Sequence, residues 1–181
     1  MTCIVGIVDK GTVHLGGDSA ATENQDITLV RNEKVFTSIN PEVILGYAGS
    51  FRFGNIVRYL FSPPRILSDE PMEYMVRQFI PALKEVMTVE GIGKFQEKDI
   101  HDHENWLLVG VKGRLFGVEP DFAVIEESLP FSSIGSGKAV AWGSLCSTEH
   151  MGDPRARLEL ALKASSAFTT SVSPPFNFVK L

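Results

Sequence analysis

Apolar residues follow two rhythms along this chain, and the switches between them divide it into blocks. In the first block the period is two, or the apolar runs are short and unbroken. Residues 3–8 form a run rich in branched side chains, and Lys10-Gly11 supplies turn chemistry before residues 12–15 alternate polar and apolar. Residues 27–30, 35–39 and 43–48 follow, separated by Asn32-Glu33 and the breaker Asn40-Pro41. All five segments predict β-strands.

Helical spacing then takes over. Ser50 stands where it can cap a helix with apolar positions Phe53, Ile56, Val57, Leu60 and Phe61, closed by Pro63-Pro64. A second helix begins near Ser68-Asp69-Glu70-Pro71, with acids and a proline at its start, and keeps the 3, 4 spacing from Met72 to Met87. Pro81 is expected to kink or split it. Residues 91–104 are polar and Gly-bearing and read as a loop. Strand patterns return at 106–111, 115–118 and 122–125. The corner Ile134-Gly135-Ser136-Gly137 opens a helix of small residues, and Asp153-Pro154 opens a last one that fades near Thr169 before Pro174-Pro175.

The order is strands, two helices, strands, two helices. Blocked rather than alternating β and α argues against a Rossmann-type parallel sheet. The simplest arrangement is an α+β fold in four layers, αββα: two antiparallel sheets face to face with a helix pair over each outer face. Neither an internal repeat nor a linker interrupts it, so residues 1–181 read as one domain.

Composition narrows the classes further. Hydrophobic residues are 44% and charged residues 22%, as in ordinary globular proteins. A net charge of −5 gives no basic surface for nucleic acid or anionic lipid. No apolar run approaches the roughly 18–20 residues that span a bilayer. The start of the chain lacks the basic region of a signal peptide, and the two cysteines, Cys3 and Cys146, form no CxxC. The expectation is a reduced, cytoplasmic protein without nucleic-acid or membrane partners.

Four features carry candidate chemistry. Thr2 follows the initiator, and a threonine freed at the N-terminus holds a nucleophile and a base together, because its own α-amine (pKa about 7.7–8.0) can take the hydroxyl proton. Gly16-Gly17-Asp18-Ser19-Ala20-Ala21-Thr22 closes the second strand, Lys34 opens a later one, and Gly135-Ser136-Gly137 opens a helix. Singly, each has a bland reading as a chain start, a turn acid, a surface lysine or a helix cap. Gly135-Ser136-Gly137-Lys138 is not a P-loop, since Ser132 and Ala139 stand where Gly and Ser or Thr are needed. His101, Asp102, His103 and Glu104 read as a solvated loop rather than a metal cluster.

Together these features resemble the β-type proteasome subunits and their bacterial HslV relatives, the N-terminal-nucleophile hydrolases. The resemblance covers residues 2–60 and 131–145. Asp18 and Lys34 follow Thr2 by 16 and 32 residues, Ala48-Gly49-Ser50 stands as the turn before the first helix, and Gly135-Ser136-Gly137 as the later turn. It implies a threonine-type endopeptidase in a self-compartmentalising ring, with Met1 removed and no cofactor. Thr2 would be the nucleophile, Lys34 the cation beside it and Asp18 the counter-charge. Gly49 would supply the oxyanion donor, and Ser136 would hold the α-amine.

Toward the C-terminus the family's acid and hydroxyl fall, in the favoured register, on Ser166 and Thr169; the loss of the acid there implies no metal. The segment from Val172 to Phe176 then replaces the family's final strand with a Pro-stiffened extension packed through Phe176 and Phe178. Tyr47, Ala21 and Asn32 would line the substrate pocket and favour small or medium apolar side chains. Partners would be peptide or unfolded protein and identical subunits in a ring, with room for an ATPase unfoldase. Phe51, Arg52, Tyr59 and Phe61 are too widely spread for one helix to bury against one sheet, which predicts a subunit contact. The alternatives are a catalytically inactive ring subunit and a small-molecule amidase. A rival nucleophile, Cys3, leaves the spacings to Asp18 and Lys34 one residue short.

Overall fold

The computed structural model describes residues 2–23, 26–92 and 105–181. Met1, most of the expected loop at 91–104 and its His101, Asp102, His103 and Glu104 lie outside the described residues. Six strands come first: β1 (Cys3–Asp9), β2 (Thr12–Gly17), β3 (Ala20–Glu23), β4 (Asp26–Leu29), β5 (Val35–Thr37) and β6 (Val43–Ala48). The helices α1 (Phe51–Tyr59), α2 (Pro71–Tyr74) and α3 (Ile80–Val89) follow. Strands β7 (Trp106–Val111), β8 (Arg114–Val118), β9 (Val124–Glu126) and β10 (Phe131–Gly135) precede α4 (Lys138–Ser147), α5 (Pro154–Phe168) and β11 (Asn177–Lys180).

Among the described residues the strands form two antiparallel sheets and a ribbon. One sheet runs β10-β1-β2-β11 and the other β5-β6-β7-β8-β9, while β3 and β4 pair as a hairpin. Alternation along β1 and β6 builds the layers, because successive side chains point to opposite faces. Ile4, Val13 and Leu15 meet Val35, Ile44 and Leu108 between the sheets. Cys3, Val5 and Ile7 face Ala141, Leu145 and Leu162 of α4 and α5. Val43, Leu45 and Tyr47 face Phe53, Ile56, Phe79 and Leu83 on the other side. The four αββα layers are those expected from the order of elements. No helix among the described residues is long and apolar enough to cross a membrane.

Local chemistry sets the boundaries. The Ser50 side chain accepts from the Phe53 N–H at 3.1 Å and starts α1; Asp153 caps α5, with Pro154 in its first turn. Pro81, expected to kink or split its helix, lies in the first turn of α3, and no loop separates α3 from α2. The turn before Pro81 widens to a π-helical stretch, Met75–Phe79, which makes room where the proline ring would meet the carbonyl four residues back.

Three expectations change. Phe61 is not exposed: its ring meets Phe79 edge-on at 5.1 Å, while Tyr59 and Leu60 stay outside. The segment 20–23 is a strand of its own. The tail does end in a strand, since after Pro174-Pro175 the chain pairs with β2, Asn177 opposite Gly17. Phe178 lies over Gly16, with the Arg155 guanidinium 3.3 Å from its ring centre.

Candidate active site

Three strand ends converge at one corner. Thr2 immediately precedes β1, Asp18 follows β2 and Lys34 precedes β5, so both sheets contribute to it. Thr2 is 2% exposed and Lys34 1%. A lysine buried this deeply needs partners for three N–H donors. It finds them in Thr2 Oγ1 at 3.0 Å, Asp18 Oδ1 at 3.0 Å and the Ala20 carbonyl at 2.6 Å. Asp18 is itself held, with Oδ1 accepting from the Cys3 N–H at 3.0 Å and Oδ2 from the Ala20 N–H at 2.9 Å. Burial pulls the Lys34 pKa below 10.5, and the Asp18 carboxylate opposes that pull.

The other side of Thr2 is built from β10 and the turn into α4. The Thr2 N–H donates to Ser136 Oγ at 3.2 Å, and the Gly137 N–H donates to the Thr2 carbonyl at 3.3 Å. Gly135 makes this approach feasible. Its φ is +91°, and a Cβ there would stand 2.2 Å from the Thr2 carbonyl oxygen. Gly135→Ala is therefore expected to cost roughly 2–4 kcal/mol and to displace Thr2. Gly143→Ala, where an added Cβ meets nothing within 4 Å, should be neutral or stabilising. Denaturant unfolding of the two variants checks the contrast.

Thr2, Gly49 and Ser136 line one open cleft of ≈ 990 Å³. Gly49 has a φ of +127°, and the turn it shares with Ser50 is fixed by Asn105, whose Oδ1 accepts from the Ser50 N–H at 3.0 Å. Asn105 escapes sequence reasoning because it follows a long polar stretch with nothing to mark it. Trp106 and Trp142 stand in the cleft walls, and the Lys138 ammonium lies 5.1 Å from the Trp106 ring centre.

Several sequence-predicted residues lie elsewhere. The Ser136 hydroxyl pairs with Ser171 Oγ at 2.9 Å, not with Ser166 or Thr169. The reason is the length of α5. It stays helical to Phe168, so its inward stripe of Leu158, Ala161 and Leu162 continues to Ser165; Ser166 is turned aside, and Thr169 falls on the helix cap. The signal for Ser171 is hidden in a run of hydroxyl residues that spacing alone cannot resolve.

Tyr47, Ala21 and Asn32 do not line the cleft. Tyr47 shares the parity of Val43 and Leu45, so its ring enters the helix-facing core, 3% exposed, against the bare backbone of Gly54. Burial there pushes its hydroxyl up to about 12. Cys3, the rival nucleophile, faces α4 and α5; burial pushes its thiol up to about 11, and it donates to Ser165 Oγ at 3.5 Å. Among the described residues no three His, Cys, Asp or Glu side chains gather in a set that could hold a metal ion.

No family model matches the sequence. Solved structures do match the fold. BPH of Thiobacillus denitrificans, solved in complex with epoxomicin, superposes with a TM-score of 0.79 at 20% identity, covering 99% of this chain and 98% of that one. HslV of Trypanosoma brucei gives 0.72 at 19% identity, with 99% of both chains covered. Anbu of Yersinia bercovieri, described as an ancestral β-subunit, gives 0.69 at 16% identity over 99% and 81%. This is the proteasome-type N-terminal-nucleophile hydrolase fold. In this chain the corner with Thr2, Asp18 and Lys34 lies where β1 and β5 begin and β2 ends, and the cleft opens beside it.

Proposed function

We propose that the chain is a threonine-type peptidase, a single-domain cytoplasmic subunit of a proteasome-like homo-oligomeric ring. Thr2 acts as nucleophile once the residue before it is removed. The observation that carries this is the Lys34 ammonium 3.0 Å from Thr2 Oγ1, held by a buried aspartate. A scaffold has no use for a buried cation aimed at a threonine hydroxyl, because desolvating the pair costs several kcal/mol per ion.

The mechanism follows from the chain's own groups. Lys34 favours the alkoxide of Thr2, and the freed Thr2 α-amine, beside Ser136, takes the hydroxyl proton. Oγ1 attacks the scissile carbonyl to form an ester, and the Gly49 N–H meets the developing oxyanion. The amine returns the proton to the leaving nitrogen, and water then hydrolyses the ester. An open cleft of ≈ 990 Å³ suits an extended peptide, and the ring would restrict entry to unfolded chains delivered by an ATPase unfoldase.

An inactive ring subunit remains the second reading. It is favoured by the Ser136 corner, where among the described residues the hydroxyl's hydrogen-bond partners are Thr2 and Ser171 and neither is an acid. Intact mass before and after treatment with a peptide epoxyketone separates the two. An epoxyketone needs both the hydroxyl and the free amine of an N-terminal threonine. The peptidase reading expects a mature chain beginning at Thr2 and one adduct per chain. A chain that begins at Thr2 and stays unmodified overturns it in favour of the inactive subunit.

A further inference from the structure

The tail beyond α5 does more than close a sheet edge. Apart from the Thr2 hydroxyl, the acceptors of the Lys34 ammonium come from Asp18 and Ala20, at 3.0 and 2.6 Å. Ser19 lies between them, so whatever holds Ser19 holds both. It is 1% exposed and gripped at three points by one stretch of chain. Its N–H donates to the Ser173 carbonyl at 3.1 Å, its hydroxyl donates to the Pro175 carbonyl at 2.7 Å, and the same hydroxyl accepts from Asn177 Nδ2 at 3.1 Å. The pairing of Asn177 with Gly17 anchors that stretch to β2. On the hairpin side, among the described residues, Ser19 has one bond, its carbonyl accepting from the Val30 N–H at 3.0 Å.

We propose that residues 173–177, acting through Ser19, are a positioning element that holds Asp18 and Ala20 against Lys34 Nζ and keeps the ammonium aimed at Thr2. Ser19 and Asn177 are positioning residues, and no hydrogen bond joins either to Thr2. The inference rests on Thr2 being the nucleophile only for its effect on rate; the grip itself is independent of that reading.

Loosening Ser19 has a defined electrostatic consequence. The groups facing Lys34 are Asp18, the Cys3 thiol, the Thr2 hydroxyl and the Ala20 carbonyl. Burial keeps the thiol neutral up to about 11, so below that pH Asp18 is the counter-charge. If Asp18 drifts, burial acts on Lys34 with less opposition, and the ammonium loses its proton at lower pH.

The test compares Ser19→Ala, Ser19→Thr and Asn177→Ala in the full chain, by the pH profile of peptide hydrolysis and by crystal structures. Ser19→Ala is expected to lower kcat about tenfold with KM unchanged and to move the alkaline limb about one pH unit lower. Ser19→Thr, which keeps the hydroxyl, should restore the limb. A folded Ser19→Ala with an unmoved limb and Lys34 still 3.0 Å from Asp18 overturns the proposal. Should Ser19→Ala fail to fold, Asn177→Ala removes one grip and is read the same way. If the parent protein hydrolyses no peptide, the peptidase reading fails by itself, and the crystallographic distance decides this one: a displaced Asp18 upholds it, an unmoved Asp18 overturns it.

Discussion

Thr2→Ala is expected to abolish peptide hydrolysis, by at least about 10³-fold in kcat, while leaving the chain folded. The substitution removes the attacking oxygen and leaves the α-amine with no hydroxyl to deprotonate. The structural cost is small but real. Lys34 loses one of three acceptors, a bond to a charged group worth about 1.5–3 kcal/mol before water replaces it. Thr2→Ser keeps the oxygen and should keep measurable turnover. Steady-state kinetics with a fluorogenic peptide, set beside thermal unfolding of the same preparations, separates lost chemistry from lost fold. Full activity in Thr2→Ala would exclude the mechanism.

Much of this corner was legible in the sequence through the resemblance to the proteasome β-type subunits, which picks out Thr2, Asp18 and Lys34 by their spacing; singly, each reads as a chain start, a turn acid or a surface lysine. In the structure each of the three abuts a strand end. The four layers were legible from the blocked order of elements, and β1 and β6, buried on both faces, read as unbroken apolar runs. What failed lies where spacing carries no such meaning. Ser171 sits past the end of α5, and the choice among Ser166, Thr169 and Ser171 depends on how far the helix runs. Pro174-Pro175 hid β11 because prolines argue against a strand, yet pairing begins just beyond them at Asn177.

Tyr47 is a different failure. Its parity with Val43 and Leu45 was readable and points it into the helix-facing core. Gly54, one turn into α1, leaves the space for its ring, because a Cβ there would stand 2.1 Å from it. The specificity expected from Tyr47 therefore loses its basis. The cleft walls that remain, Trp106 and Trp142, come from β7 and α4, elements the sequence located without connecting them to Thr2.

Lys34→Met carries the second large effect, and here stability and activity part company. The ammonium and the Asp18 carboxylate are both essentially inaccessible to solvent, 3.0 Å apart. Removing the cation leaves the carboxylate with two backbone N–H donors and no counter-charge, an expected loss of about 3–5 kcal/mol. Asp18→Asn on top of Lys34→Met removes the stranded charge, but its amide oxygen can accept from only one of the two N–H donors, so the double variant should regain part of that stability. It should regain no turnover, because nothing then favours the Thr2 alkoxide. Linkage supplies an independent check with a defined sign. The folded Lys34 pKa lies below its unfolded value of 10.5. Between the two the unfolded chain binds the extra proton, so this group makes stability rise with pH across that window; its contribution is complete above 10.5 and lost as pH falls through the folded value. Lys34→Met should flatten that rise. Urea unfolding from pH 7 to 10.5 measures it, and a slope unchanged by the substitution would mean that the folded chain holds the Lys34 proton as tightly as the unfolded one.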